Sequence, residues 1–143
     1  MKTTVPILAA LLALSACSSE PPESSATIRL AAVPGRPAAG YFTLRVEGDK
    51  GALIAVRSPQ AGRIEMHETM THGTMSSMRP LARIPVRDGE TLSFTPGGRH
   101  LMLFDLSPTI EAGGGMTLIF TFERGAEQRL IAEIVPTGGD VGP

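Results

Sequence analysis

The stretch His100-Leu101-Met102-Leu103-Phe104-Asp105-Leu106 decides how this sequence is to be read. Side chains alternate across an extended strand, and residues two apart share a face with a spacing of about 7 Å. Leu101 and Leu103 are therefore directed into a core, and His100 and Met102 project together from the other side. Pro96-Gly97-Gly98 precedes this strand and Gly113-Gly114-Gly115 follows it, both of them turn signals. The same punctuation recurs in both directions, at Gly48-Asp49-Lys50-Gly51 and Asp88-Gly89. Between these turns lie candidate strands at Thr27–Val33, Tyr41–Val46, Ala52–Val56, Arg63–Glu68, Arg83–Val86, Thr91–Phe94, Met116–Glu123 and Gln128–Val135. No stretch after the N-terminal segment keeps a helical period over the ten or so residues a helix wants. The class is all-β, a sandwich or small barrel with one apolar face per strand. Thr69–Pro80 shows neither alternation nor a helical stripe, so a loop or an irregular strand is expected there.

The ends have a different character. Lys2 precedes the apolar run Val5–Leu14, which closes on Leu14-Ser15-Ala16-Cys17. That is the pattern of a secretory signal peptide, here residues 1–16, and its apolar run is far shorter than the ~20 residues of a membrane span. Leu14 to Cys17 resembles a bacterial lipobox, which would make Cys17 the lipidated first residue of the mature chain. Cys17 is also the only cysteine, so the domain holds neither an internal disulfide nor a Cys–Cys metal site. Residues 17–26, rich in Ser, Pro and Glu, read as a flexible tether. Residues 27–136 have the length of one domain, and 137–143 read as a disordered tail. Without Lys2 the chain carries 12 basic against 14 acidic side chains, a net charge of −2. That balance gives no support to nucleic-acid binding.

All three histidines (His67, His72, His100) and five methionines (Met66, Met70, Met75, Met78, Met102) fall within 37 consecutive positions of the 143-residue chain. Thioether is a soft ligand and imidazole a borderline one, so the pair selects Cu(I) ahead of zinc or calcium. Zinc would call for Cys, three His or carboxylates at set spacings, and calcium for an Asp and Asn cluster. On Arg63–Glu68, alternation puts Ile64 and Met66 on one face and Glu65 and His67 on the other, which makes His67 the better ligand and Met66 a gap-filling core residue. Met116 opens an apolar strand and reads as core. Met70, His72 and Met75, with Met66 as a further candidate, are the residues available for a secondary metal site; otherwise they are exposed loop residues. A hydrolase using His67 or His100 with Asp105 or Glu68 lacks any nucleophile-elbow or metallohydrolase motif. Asp105 also alternates to the side away from His100.

His67, ten residues, Met78, twenty-one residues, His100, one residue and Met102 resembles the His-x10-Met-x21-His-x-Met signature of the periplasmic copper chaperones of the PCu(A)C family. The likeness extends through Ala39-Gly40-Tyr41, Ser58-Pro59, Ala61-Gly62-Arg63, Met78-Arg79-Pro80, Pro96-Gly97-Gly98 and His100-Leu101-Met102-Leu103, covering about Ile28 to Val135. It implies a cupredoxin-like Greek-key β-barrel or sandwich in a single domain, with His67, Met78, His100 and Met102 binding one Cu(I) ion. It also implies a non-enzymatic carrier of copper in the periplasm or cell envelope; the lipobox, for its part, implies a hold on a membrane only through the lipid on Cys17. Sco-type proteins or the copper centre of cytochrome c oxidase are its implied partners. The alternatives are a copper storage or detoxification lipoprotein and a scaffolding lipoprotein. A blue-copper electron carrier on the same fold would need a cysteine thiolate beside its histidines. The sequence departs from the family in its lipobox and in lacking the long His- and Met-rich C-terminal tail of some members.

Overall fold

Ten strands follow one another in the computed structural model, which describes residues 24–141. They are β1 Ser25–Arg29, β2 Ala38–Arg45, β3 Ala52–Arg57, β4 Ala61–His72, β5 Met75–Pro80, β6 Ile84–Pro85, β7 Thr91–Phe94, β8 Arg99–Leu106, β9 Gly115–Phe122 and β10 Glu127–Val135. Each of the nine expected strands is present with its ends moved by a few residues, and no helix occurs among the described residues. The signal peptide, Cys17 and most of the tether lie outside the described residues.

The strands form one mixed sheet in the order β5-β4-β8-β2-β1-β10-β9-β3-β6, with β7 paired to β2. All ladders are antiparallel except β1 with β10. Strand β2 divides one of its edges, pairing through Ala38–Gly40 with β8 and through Phe42–Arg45 with β7. The sheet curls until β3 lies beside β4, leaving a seam lined by Val56, Pro59 and Ile64.

Inside, Phe42 stacks on Phe94 at 4.3 Å and meets Phe120 edge-on at 4.8 Å, the offset and T-shaped arrangements that aromatic quadrupoles favour. Ile28, Leu44, Leu101, Leu103, Met116, Leu118 and Ile134 complete the core, and no polar or charged residue is buried among the described residues. Leu101 and Leu103 are fully buried, as the alternation of their strand requires. Met66, 6 % exposed, pairs with Leu101 on the core side. That burial removes Met66 from the candidates for a secondary metal site, because an ion could reach its sulfur only by opening the core.

Two segments differ from what the sequence suggests. Thr69–Pro80 is no loop: β4 continues to His72 and returns as β5, with Thr69 facing Met78 and His72 facing Met75. The turn is Gly73-Thr74, and Gly73 has φ 61°, the positive value that a tight two-residue hairpin demands. Strand β8 pairs with β4 only as far as Glu68 opposite Arg99, so the hairpin projects past the barrel as a two-stranded ribbon. Neither of its faces is covered, so no apolar alternation marks it. The segment 137–141 also departs from a disordered tail: Thr137 donates to the Leu30 carbonyl at 2.9 Å and Val141 is buried. At the other end β1 begins at Ser25, and the Ser24 hydroxyl accepts from the Arg45 amide at 3.0 Å.

Candidate metal centre

Three neighbouring strands, β5, β4 and β8, bring the sequence-predicted ligands onto one face. His67 stands directly opposite His100, Glu65 opposite Met102, and Thr69 opposite Met78. With a side-chain period of two, Glu65, His67 and Thr69 share the face that carries His100, Met102 and Met78. His67 is its centre. Directly opposed residues have Cβ atoms about 5 Å apart and diagonal neighbours lie about 7–8 Å away, within reach of long side chains. Met102 and Met78 are the two diagonal neighbours of His67, one on each flanking strand. Leu101 holds β8 from the core side between His100 and Met102.

The two imidazoles lie nearly parallel, with centroids 6.0 Å apart and planes 24° apart. His100 Nδ1 is 3.2 Å from the Gly98 carbonyl. Donation there places the proton on Nδ1 and leaves Nε2 with a free lone pair. His67 is held from the other nitrogen: its Nε2 lies 2.9 Å from Glu65 Oε2, and its buried Nδ1 has no hydrogen-bond partner. A buried polar atom without a partner costs on the order of 1–3 kcal/mol. With Nε2–H donating to Glu65, that orphaned Nδ1 is a lone pair awaiting a Lewis acid. The His67 side chain is 15 % exposed, whereas Met78 is 57 % exposed at the sheet edge. The site therefore has a fixed imidazole pair and one outlying thioether.

The hydrogen bond from His67, with Arg63 adding its charge against partial desolvation, holds the Glu65 carboxyl below its usual range. Arg63 is 2.8 Å from Glu65 and also covers the Phe104 ring at 4.2 Å. Glu65 is not among the site residues that the sequence suggests, although it shares a face with His67, and its Glu-x-His spacing on a strand is the available signal for a carboxylate orienting an imidazole.

The opposite face of the same strands carries Glu68, gripped by Arg79 at 2.7 and 3.0 Å with Arg99 at 3.7 Å. Arg79 holds the Glu68 carboxyl below its usual range. Glu68 is thus turned away from His67 and already engaged. Asp105 lies on the side of its strand away from His100, against Gly62, with φ 53°. No group of three or more His, Cys, Asp or Glu side chains is placed to hold a metal among the described residues. Met70, His72 and Met75 lie on the ribbon face turned away from His67 and Met78, and the structure does not bring them to the centre built around His67.

The fold and this face define a cupredoxin-like β-domain with a thioether and imidazole centre on its outer surface. The chain belongs to the LpqE-like family, described as "Putative lipoprotein LpqE-like", whose model matches residues 24–134. Two curated relatives align with part of it. "Putative lipoprotein Lxx21020" of Leifsonia xyli subsp. xyli is 34 % identical over 77 residues, covering 52 % of this chain and 45 % of the relative. "Uncharacterized protein RP573" of Rickettsia prowazekii is 31 % identical over 85 residues, covering 58 % and 47 %. The matched stretches thus span about half the length of these relatives. Among solved structures, the copper-bound PCuAC domain from PmoF2 superposes with TM-score 0.61 at 19 % identity, covering 79 % of this chain and 91 % of that one. The Cu(I) form of DR1885 from Deinococcus radiodurans superposes with TM-score 0.56 at 27 % identity, covering 78 % and 76 %. The fold is that of PCuAC domains, and the resemblance read in the sequence holds at the level of family and fold.

Proposed function

We propose that this protein is a Cu(I) carrier of the cell envelope, binding the ion through His67, Met78, His100 and Met102. The observation that carries the proposal is the strand register that puts His67, with its buried and unpartnered Nδ1, on one face with a second imidazole and two thioethers. Imidazole with thioether is a donor set for Cu(I), and the solved relatives whose names record copper have the same fold.

The geometry suits loading and release rather than catalysis. Glu65 and the Gly98 carbonyl fix the two rings, so the ion meets donors already in their tautomers and orientations. Met78, exposed at the edge, is the ligand an incoming donor would displace first. Exchange then proceeds by stepwise substitution of ligands at the ion, and no protein group needs to give or take a proton. Lipidation at Cys17 would keep the carrier at a membrane surface, and copper-exchanging proteins of the envelope, Sco-type proteins or the oxidase copper centre among them, are the partners in this reading.

Competition for Cu(I) against a chromophoric chelator tests it, comparing the protein with His100→Ala/Met102→Ala. The expected result is tight 1:1 binding in the parent and its collapse in the double variant. Equal binding in both would overturn the ligand assignment.

A further inference from the structure

Beyond Glu68 the ribbon formed by β4 and β5 has a second face, and its side chains have no packing to do. The side that is core at Met66 opens gradually, Met70 being half-buried and His72 exposed, because β8 no longer runs alongside. His72 stands directly opposite Met75 in the last pair before the turn, and Met70 follows two residues back on the same face. Met75 is 77 % exposed, a large apolar side chain at a tip where burial gives it no reason to be. Opposed residues are about 5 Å apart at Cβ and those two apart about 7 Å, so two thioethers and an imidazole can converge on one ion. The nearest carboxylate on that face, Glu68, is occupied by Arg79 and Arg99.

We infer that Met70, His72 and Met75 form a second site for a soft monovalent cation, Cu(I) or Ag(I), back to back with the centre around His67 on the same two strands. The donor set sorts ions as the first site does, favouring soft monovalent ions over zinc or calcium. Only three donors are present, and His72 and Met75 lie at the solvent-exposed tip with Met70 half-buried behind them, so the second ion binds more weakly and exchanges faster than the first. The inference stands on the hairpin register and does not depend on the first site being a carrier.

The test is anaerobic titration of the full chain with Cu(I), and in parallel with Ag(I), followed through the methionine methyl resonances. One equivalent should move the Met78 and Met102 methyls, and a second should move those of Met70 and Met75 with His72. Met70→Leu/His72→Ala/Met75→Leu should reduce the uptake from two equivalents to one and leave the first intact. These positions lie on the ribbon beyond the barrel, two of them exposed and Met70 half-buried and kept apolar by leucine, so the barrel is left unaltered, which circular dichroism verifies. His100→Ala/Met102→Ala should lose the first equivalent and keep the second, so failure at either site is seen separately. Met70 and Met75 methyls that stay fixed while excess metal is added, or a second equivalent that survives the triple substitution, would overturn the inference.

Discussion

Gly40 sits on β2 where that strand pairs with Leu101, directly behind the metal face. A methyl group there would lie 3.0 Å from Ile28 Cδ1, 3.0 Å from Leu101 Cβ and 3.1 Å from Leu103 Cδ1. Carbon atoms prefer about 3.5–4.0 Å, so all three contacts are too close. Leu101 is fully buried, and its Cβ, fixed to the backbone, cannot rotate away. Gly40→Ala should therefore overpack the core at a cost of about 1–3 kcal/mol. Relief of glycine's entropic penalty within a strand offsets about 0.5–1 kcal/mol, leaving a net loss of about 1 kcal/mol from the middles of the two ranges. Urea denaturation should show a lower midpoint at unchanged m. Because Leu101 lies between His100 and Met102, Cu(I) affinity should fall as well. Adding Ile28→Val, which deletes the Cδ1 at 3.0 Å, should recover part of the stability, the coupling expected of residues in contact. A Gly40→Ala midpoint equal to or above the parent's would refute the close approach of β1, β2 and β8 behind the site.

Other perturbations probe the remaining contacts. Glu65→Ala removes the acceptor that orients His67 and should weaken Cu(I) binding about 10- to 100-fold in chelator competition, with Glu65→Gln, which still presents an oxygen, falling between the two. Met66→Leu should leave Cu(I) affinity unchanged and cost less than about 1.5 kcal/mol in denaturant, as a volume-conserving core swap does. Arg83 holds the Glu123 carboxyl below its ordinary value of 4.5 through contacts at 2.8 and 3.2 Å. A depressed folded-state value stabilises above 4.5 and is lost as pH falls through the lower folded value. Glu123→Gln should accordingly lose less stability than the parent between pH 7 and pH 3 in thermal melts.

The strands were legible where one face is buried. His100–Leu106 announces itself because Leu101 and Leu103 go in while His100 and Met102 stay out, and the same alternation separates Met66 from His67. The β4–β5 ribbon was not legible, because a hairpin that leaves the barrel has no buried face and therefore no apolar period. Only Gly73 marked its turn. His67, His100 and Met102 follow from alternation and Met78 from the resemblance to the PCu(A)C signature, but the central place of His67 depends on the β4–β8 register, a long-range pairing that local pattern does not fix. For Glu65 the Glu-x-His spacing is a weak signal by itself, and the buried, unpartnered second nitrogen of His67 is what gives it weight.

The account rests most heavily on both sulfur and nitrogen donors meeting at one ion. X-ray absorption at the copper edge, on protein loaded with one equivalent of Cu(I), reads that first shell directly. Both imidazole and thioether scattering should appear, with the sulfur contribution reduced in Met78→Leu and again in Met102→Leu. A first shell of nitrogen and oxygen alone, or one that neither substitution alters, would contradict the assignment.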